Sequence, residues 1–207
     1  MANVPFSALH EQILPYLPGA DTPIIDSTIR KVVREWMKRT TCIRESFAFD
    51  TAAGVSDYQL NPTTGLVSSI MAVWQDPASD PLPAATEDIR RNVPSACPTH
   101  WWEMIPGVVK LYPTPDAVYP ITVNAVITLG HTDTEMPEEL VSAYAEDITS
   151  GVLSMMMSMP GKPWTQSRAA VDMGRVFNGA IKTVRGKIRD GGQPNSSTFT
   201  AARKFGC

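Results

Sequence analysis

The chain has 207 residues, 43% of them hydrophobic and 19% charged, with 18 Lys/Arg against 21 Asp/Glu and a formal net charge of -3. A chain of this length buries roughly 70% of its unfolded surface, so a substantial core is expected and a charge-dominated disordered chain is excluded. Cys42, Cys97 and Cys207 stand far apart with no CxxC pair, which argues against a disulfide framework and for a reducing compartment. No apolar run reaches about 18 residues and the N-terminus lacks a basic-then-apolar signal pattern, so the expectation is a soluble, cytosolic product.

Residues 1–20 are a Pro- and Leu-rich opening segment. The first helix is predicted from Thr22, a potential cap, with Pro23 at the first helical position and Asp26 in the first turn. Ile25, Ile29, Val32, Val33, Trp36 and Met37 share one face, and Arg30, Lys31, Arg34 and Lys38 share the opposite one. Thr40-Thr41 is expected to end it.

Residues 43–135 change character. Glu45, Phe47 and Phe49 alternate with Ser46, Ala48 and Asp50, and a turn at Ala53-Gly54 leads to Asp57–Leu60, which predicts a hairpin. Leu66–Trp74 reads as a strand, and the proline-rich stretch 75–98 as loop. His100–Ile105 and Val108–Tyr112, joined by Pro106-Gly107, predict a second hairpin. The cleanest alternation runs from Ile121 to Leu129. A small antiparallel sheet or sandwich is expected.

Helix is predicted again from Pro137-Glu138-Glu139, with early carboxylates at the positive end of the helix dipole. Its apolar stripe is Val141, Tyr144, Ile148, Val152, Met155 and Met159, and Pro160-Gly161 stops it. A last helix spans about Thr165 to Asp190, with Met173, Phe177, Ile181, Val184 and Ile188 as its stripe. The predicted fold class is therefore α+β: a bundle of long amphipathic helices (1–42 and 136–192), an inserted antiparallel β domain (43–135) and an extended C-terminal tail (193–207).

Charge reverses sign along the chain. Residues 162–207 hold nine Lys/Arg and two Asp/Glu, whereas residues 1–161 hold nine and 19. On the last helix Arg168, Arg175, Lys182, Arg185 and Arg189 fall in one band away from the apolar stripe. Three readings fit such a band: a solvated face, a surface docking an acidic protein, or phosphate contact with nucleic acid. An acidic remainder weighs against dedicated DNA recognition.

No catalytic or metal set is apparent. His131-Thr132-Asp133-Thr134-Glu135 offers three ligand types but no second pair at recognised spacing, and reads as a turn. Cys97-Pro98-Thr99-His100 is too thin for zinc, and Gly161-Lys162 lacks the rest of a phosphate loop. GxSxG and HExxH do not occur, and the three histidines are far apart. Met155-Met156-Met157 with Met159 reads as core that is partly interfacial. Trp101-Trp102 reads as one core ring and one contact ring. The expectation is no cofactor, no metal and no enzymatic activity.

Several local phrases carry a resemblance: "ILPYLPGADTPIIDSTIRKVVREWMKRT", "VKLYPTPDAVYPITVNAV", "MPEELVSAYAEDITSGVLSMMMSMPGKPW" and the final "KFGC". In order and spacing they are similar to the tail tubular protein A-like head-to-tail adaptors of short-tailed bacteriophages, over nearly the whole chain. The resemblance implies a virion neck protein made in the host cytoplasm and forming a ring, commonly of twelve copies. It implies a seat between the portal and the tail nozzle, with the genomic DNA passing through without sequence-specific binding. It implies a C-terminal segment that reaches the portal. Arg168, Arg175, Lys182, Arg185, Arg189, Phe199 and Phe205 are then the portal-docking candidates. The alternatives are a small DNA-binding protein using the basic helix, or an enzyme with an unrecognised site.

Overall fold

A computed structural model describes residues 2–75, 80–85 and 94–189. Strand β1 (Asn3–Pro5) leads into 3-10 turns around a short helix α1 (His10–Ile13), then helix α2 (Thr22–Thr40). Six strands follow: β2 (Arg44–Asp50), β3 (Asp57–Gln59), β4 (Leu66–Trp74), β5 (His100–Glu103), β6 (Val108–Tyr112) and β7 (Pro120–Thr128). Strand β8 (Glu135–Pro137), helix α3 (Glu138–Met157) and helix α4 (Ser167–Arg189) complete it.

The expected bundle of long helices is wrong. The longest helix has 23 residues, and the helices share the chain with three antiparallel sheets, ordered β1-β8, β2-β7-β4 and β3-β6-β5. The physical reason lies in the core. One apolar cluster joins Ile29, Val33 and Trp36 of α2 to Val123 and Ile127 of β7, to Val109 and Leu111 of β6, and to Val152 and Ile181 of α3 and α4. Helix α2 thus packs on β7 as well as on α3 and α4, so the helical layer shares its core with a sheet and does not close on itself as a bundle.

Helix α2 is the hub. Its six predicted core residues are all at most 1% exposed. Full burial of each such side chain contributes about 1.5–3 kcal/mol. The Trp36 ring lies 5.1 Å from Tyr144 of α3 and 5.8 Å from Phe177 of α4. The helix begins one residue earlier than the sequence suggests: Asp21 holds the cap position, without a side-chain cap bond, and Thr22 is already helical. It ends at Thr40, where Thr41 turns left-handed at φ 56°. Its basic face is not wholly solvated. Arg30 Nε donates to the Asp133 carbonyl at 2.6 Å and the guanidinium lies over Phe6.

The predicted 45–60 hairpin does not form. Strand β2 pairs with β7, and β3 pairs with β6 in another sheet. Residues between them are held elsewhere, Thr51 donating its N–H to Tyr119 and Gly54 to Pro115. The β5–β6 hairpin pairs as expected, His100 opposite Tyr112 and Glu103 opposite Val109. Its Glu103 also ties the two larger sheets together, the carboxylate accepting from Ile70 N at 2.9 Å and Gly107 N at 3.2 Å. On the far side Phe49 and Tyr58 stack at 4.9 Å. Gly65, at φ +72°, lets β4 start against β7, since a Cβ there would meet the Thr128 carbonyl oxygen at 2.3 Å.

Helix α3 is less amphipathic than its sequence stripe implies. Tyr144 departs from helical geometry at φ -140°, ψ 20°, so the stripe bends there. Beyond the bend Ile148, Thr149, Gly151, Val152, Leu153, Met156 and Met157 are all buried, which uses most of the helix circumference. Met155 and Met159 are half-buried against the same cluster.

Candidate docking surface

Helix α4 is built as a one-sided element. Ala170, Phe177, Ile181 and Val184 are buried, with Met173 and Ile188 half-buried beside them. The other side carries the basic band. Arg168, Arg175, Lys182, Arg185 and Arg189 are all exposed, as is Lys187. At about 1.5 Å per residue the helix runs for roughly 34 Å, so the band is a line of charge and not a point. Arg175 pairs with Asp172 at 3.2 Å, both well exposed. Ion pairs of this kind are worth about 0–1 kcal/mol. Phe199 and Phe205 lie outside the described residues, as does the 193–207 tail.

The other sequence candidates resolve as structure. The His131 ring nitrogens lie at hydrogen-bond distance from the Arg34 guanidinium, 2.9 and 3.4 Å, and Asp133 accepts from Gly130 N at 2.6 Å. Among the described residues no group of three or more His, Cys, Asp or Glu is placed to hold a metal ion. Trp101 and Trp102 are both half-buried, and Trp101 donates to the Leu82 carbonyl. Burial pushes the Cys42 thiol up, against the pull of a Thr40 hydrogen bond. That is the opposite of what a nucleophilic thiolate needs. No described helix is long and apolar enough to cross a membrane.

Beside the basic band runs a feature the sequence reading passed over. Helices α2, α3 and α4 leave an open groove of about 840 Å³ between them. Its apolar lining includes Val32, Met155, Ala170, Val171 and Phe177, Glu35 lines it from α2, and Arg175 and Lys182 stand on its lip. Val171 is 55% exposed there. Helices α3 and α4 approach closely at one side of the groove. Ser154 Oγ donates to the Ala170 carbonyl at 2.7 Å, and a Cβ on Gly174 would meet that same Oγ at 2.8 Å. Gly151 is tighter still, with Phe177 and Val32 carbons at 2.6 and 2.7 Å from a Cβ position.

Gly179 and Gly186 are different. A Cβ on either would meet nothing within 4 Å. A glycine inside a helix costs about 1 kcal/mol relative to alanine. At these two positions no neighbour in the chain requires it. Both lie in the basic band, which reads Arg175, Gly179, Lys182, Gly186, Arg189 in steps of four and three. That spacing was legible from the sequence and is the signal that could have found the groove.

Helix α3 supplies the opposite charge. Glu138, Glu139, Glu146 and Asp147 occupy its first half, and the helix has no Lys or Arg. Burial, with Glu146 adjacent, pushes Asp147 up from the ordinary carboxylate range.

A line of cations on a helix anchored by one apolar side, beside an open groove, is suited to holding another macromolecule. No curated protein matches the chain. The family described as SU10 adaptor protein matches residues 5–200, spanning both helical segments and the sheets between them. The chain therefore belongs to the SU10 adaptor protein family, a family of phage head-to-tail adaptors.

Proposed function

We propose that this structural phage protein forms a closed ring, of about twelve copies as in the tail tubular protein A-like adaptors, seated between portal and tail nozzle. The ring continues the DNA channel of a short-tailed particle. The family match across residues 5–200 carries this reading. The basic face of α4, with Arg168, Arg175, Lys182, Arg185 and Arg189, is the portal-docking surface, and Phe199 and Phe205 of the tail are its apolar anchors. The helical segments 1–42 and 136–192 face the portal side and the β region 43–135 faces the nozzle. Individual exposed ion pairs are weak, but repetition around a ring makes them decisive through multivalency.

The channel reading agrees with the charge. Residues 1–161 are net acidic, and an acidic lining does not neutralise phosphates, so DNA slides past. Native mass spectrometry of the protein mixed with its portal tests the proposal. A multi-copy complex on the portal is expected, and a strict monomer that never binds portal overturns it. The rival, a DNA-binding protein using the basic helix, requires duplex binding at physiological salt that falls steeply as salt rises. No such binding is expected.

A further inference from the structure

We infer that the groove between α2, α3 and α4 is the seat of an acidic amphipathic helix of the portal, received between the Val171–Met155 floor and the Arg175–Lys182 lip. The inference rests on the reading that α4 docks the portal, and adds where and by what chemistry.

Three observations converge on one occupant. The groove is open, with apolar side chains in its lining and Arg175 and Lys182 on its lip, and its one lining carboxylate, Glu35, is paired with Arg39. A helix laid over that lip covers Lys182 and the exposed Arg175–Asp172 pair, and carboxylates on the arriving segment offset the cost of taking those cations out of water. Arg175 and Lys182 are seven residues apart on one face, about two helical turns, which matches carboxylates at the same interval on a second helix.

The glycines supply the third observation. Gly174 and Gly151 are small because their own chain crowds them, while Gly179 faces open space in the groove. A helix interior is destabilised by a glycine that serves nothing within the chain. At Gly179 the missing side chain opens room for a backbone arriving from outside. The lining residues lie in α2, α3 and α4 apart from Ser158 in the turn after α3, so they offer no unpaired strand edge to an extended peptide. A helix laid in a groove is the fitting mode.

The test uses the full chain and the purified portal ring of the same phage, with binding read by surface biosensor and folding by thermal melting. Gly179→Leu puts a side chain into the groove from a position whose Cβ meets nothing within 4 Å. It should lower portal affinity at least about tenfold while leaving Tm unchanged or higher. Gly179→Ala should act in the same direction with a smaller loss. The double charge reversal R175E/K182E should also lower affinity, and raise the salt sensitivity of what remains.

If charge reversal weakens binding but both Gly179 variants bind normally, the docking face stands and the groove as a seat is overturned. If neither kind of variant weakens binding, the α4 docking reading falls and this inference falls with it. Loss of self-association in Gly179→Leu, with portal binding retained, would assign the groove to a second copy and overturn the portal helix.

Discussion

Helices α3 and α4 are neighbours of similar length, 20 and 23 residues, and they do opposite work. Beyond its bend α3 is buried around most of its circumference and carries no cation. Helix α4 buries one stripe and turns Arg168, Arg175, Lys182, Arg185 and Arg189 outward. The difference shows how a hairpin of two helices divides labour. One helix is spent on the core, which frees the other to present a surface whose composition is nearly independent of stability.

That division can be broken most severely on the inner side. Phe177→Ala removes a buried ring that touches Trp36, and should cost about 3–5 kcal/mol by chemical denaturation. Gly151→Ala forces a methyl against Phe177 and Val32 and should cost about 1–3 kcal/mol in the same assay. If Gly151→Ala proves neutral, α3 and α4 are not packed as tightly as the division requires.

On the outer side R175E/K182E should lower portal attachment strongly, while stability changes by less than about 1 kcal/mol, since neither residue is buried. A large stability loss would erase the contrast between the two helices. Gly186→Ala meets open space and should raise stability by about 0.5–1 kcal/mol, read as a higher midpoint in denaturant.

The smallest effect expected is a pH signature on α3. Burial raises the Asp147 carboxyl, so its ionised form destabilises the fold at neutral pH. Asp147→Asn should show a slightly higher Tm there. Because the folded-state value is the higher one, the wild-type penalty disappears as pH falls through it. The two melting curves should therefore converge in acid, and an advantage that persists in acid would show a different cause.

Much of this was legible in the residues. The stop at Met159-Pro160-Gly161 separates α3 from α4, and the apolar stripe of α4 reads directly from Phe177, Ile181 and Val184. The strand at 121–129 stood out because β7 is central in its sheet and buried at its inner positions. Strand partners were not legible. Phe47 and Phe49 reveal a half-buried strand but not that β7 pairs with it, since alternation encodes a face and not a neighbour. The predicted bundle failed for the same reason: a stripe on α2 states that something covers it, not whether that is helix or sheet. The groove was not legible in the apolar stripes because a stripe pattern counts the side chains that are present, and Gly179 marks the place of an absent one.

The joining of β1 to β8 has a consequence in time. Asn3 lies opposite Pro137, and Thr28 of α2 bonds to Met156, 128 residues onward. As the chain leaves the ribosome, α2 is made early while the helix that covers Trp36 is among the last segments to emerge. Contacts so distant in sequence close slowly, and an apolar helix face waits uncovered meanwhile. Synthesis at about 5–20 residues per second makes that wait some seconds to tens of seconds long. The chain thus passes through a window in which nascent copies can adhere to one another before each has finished its own core.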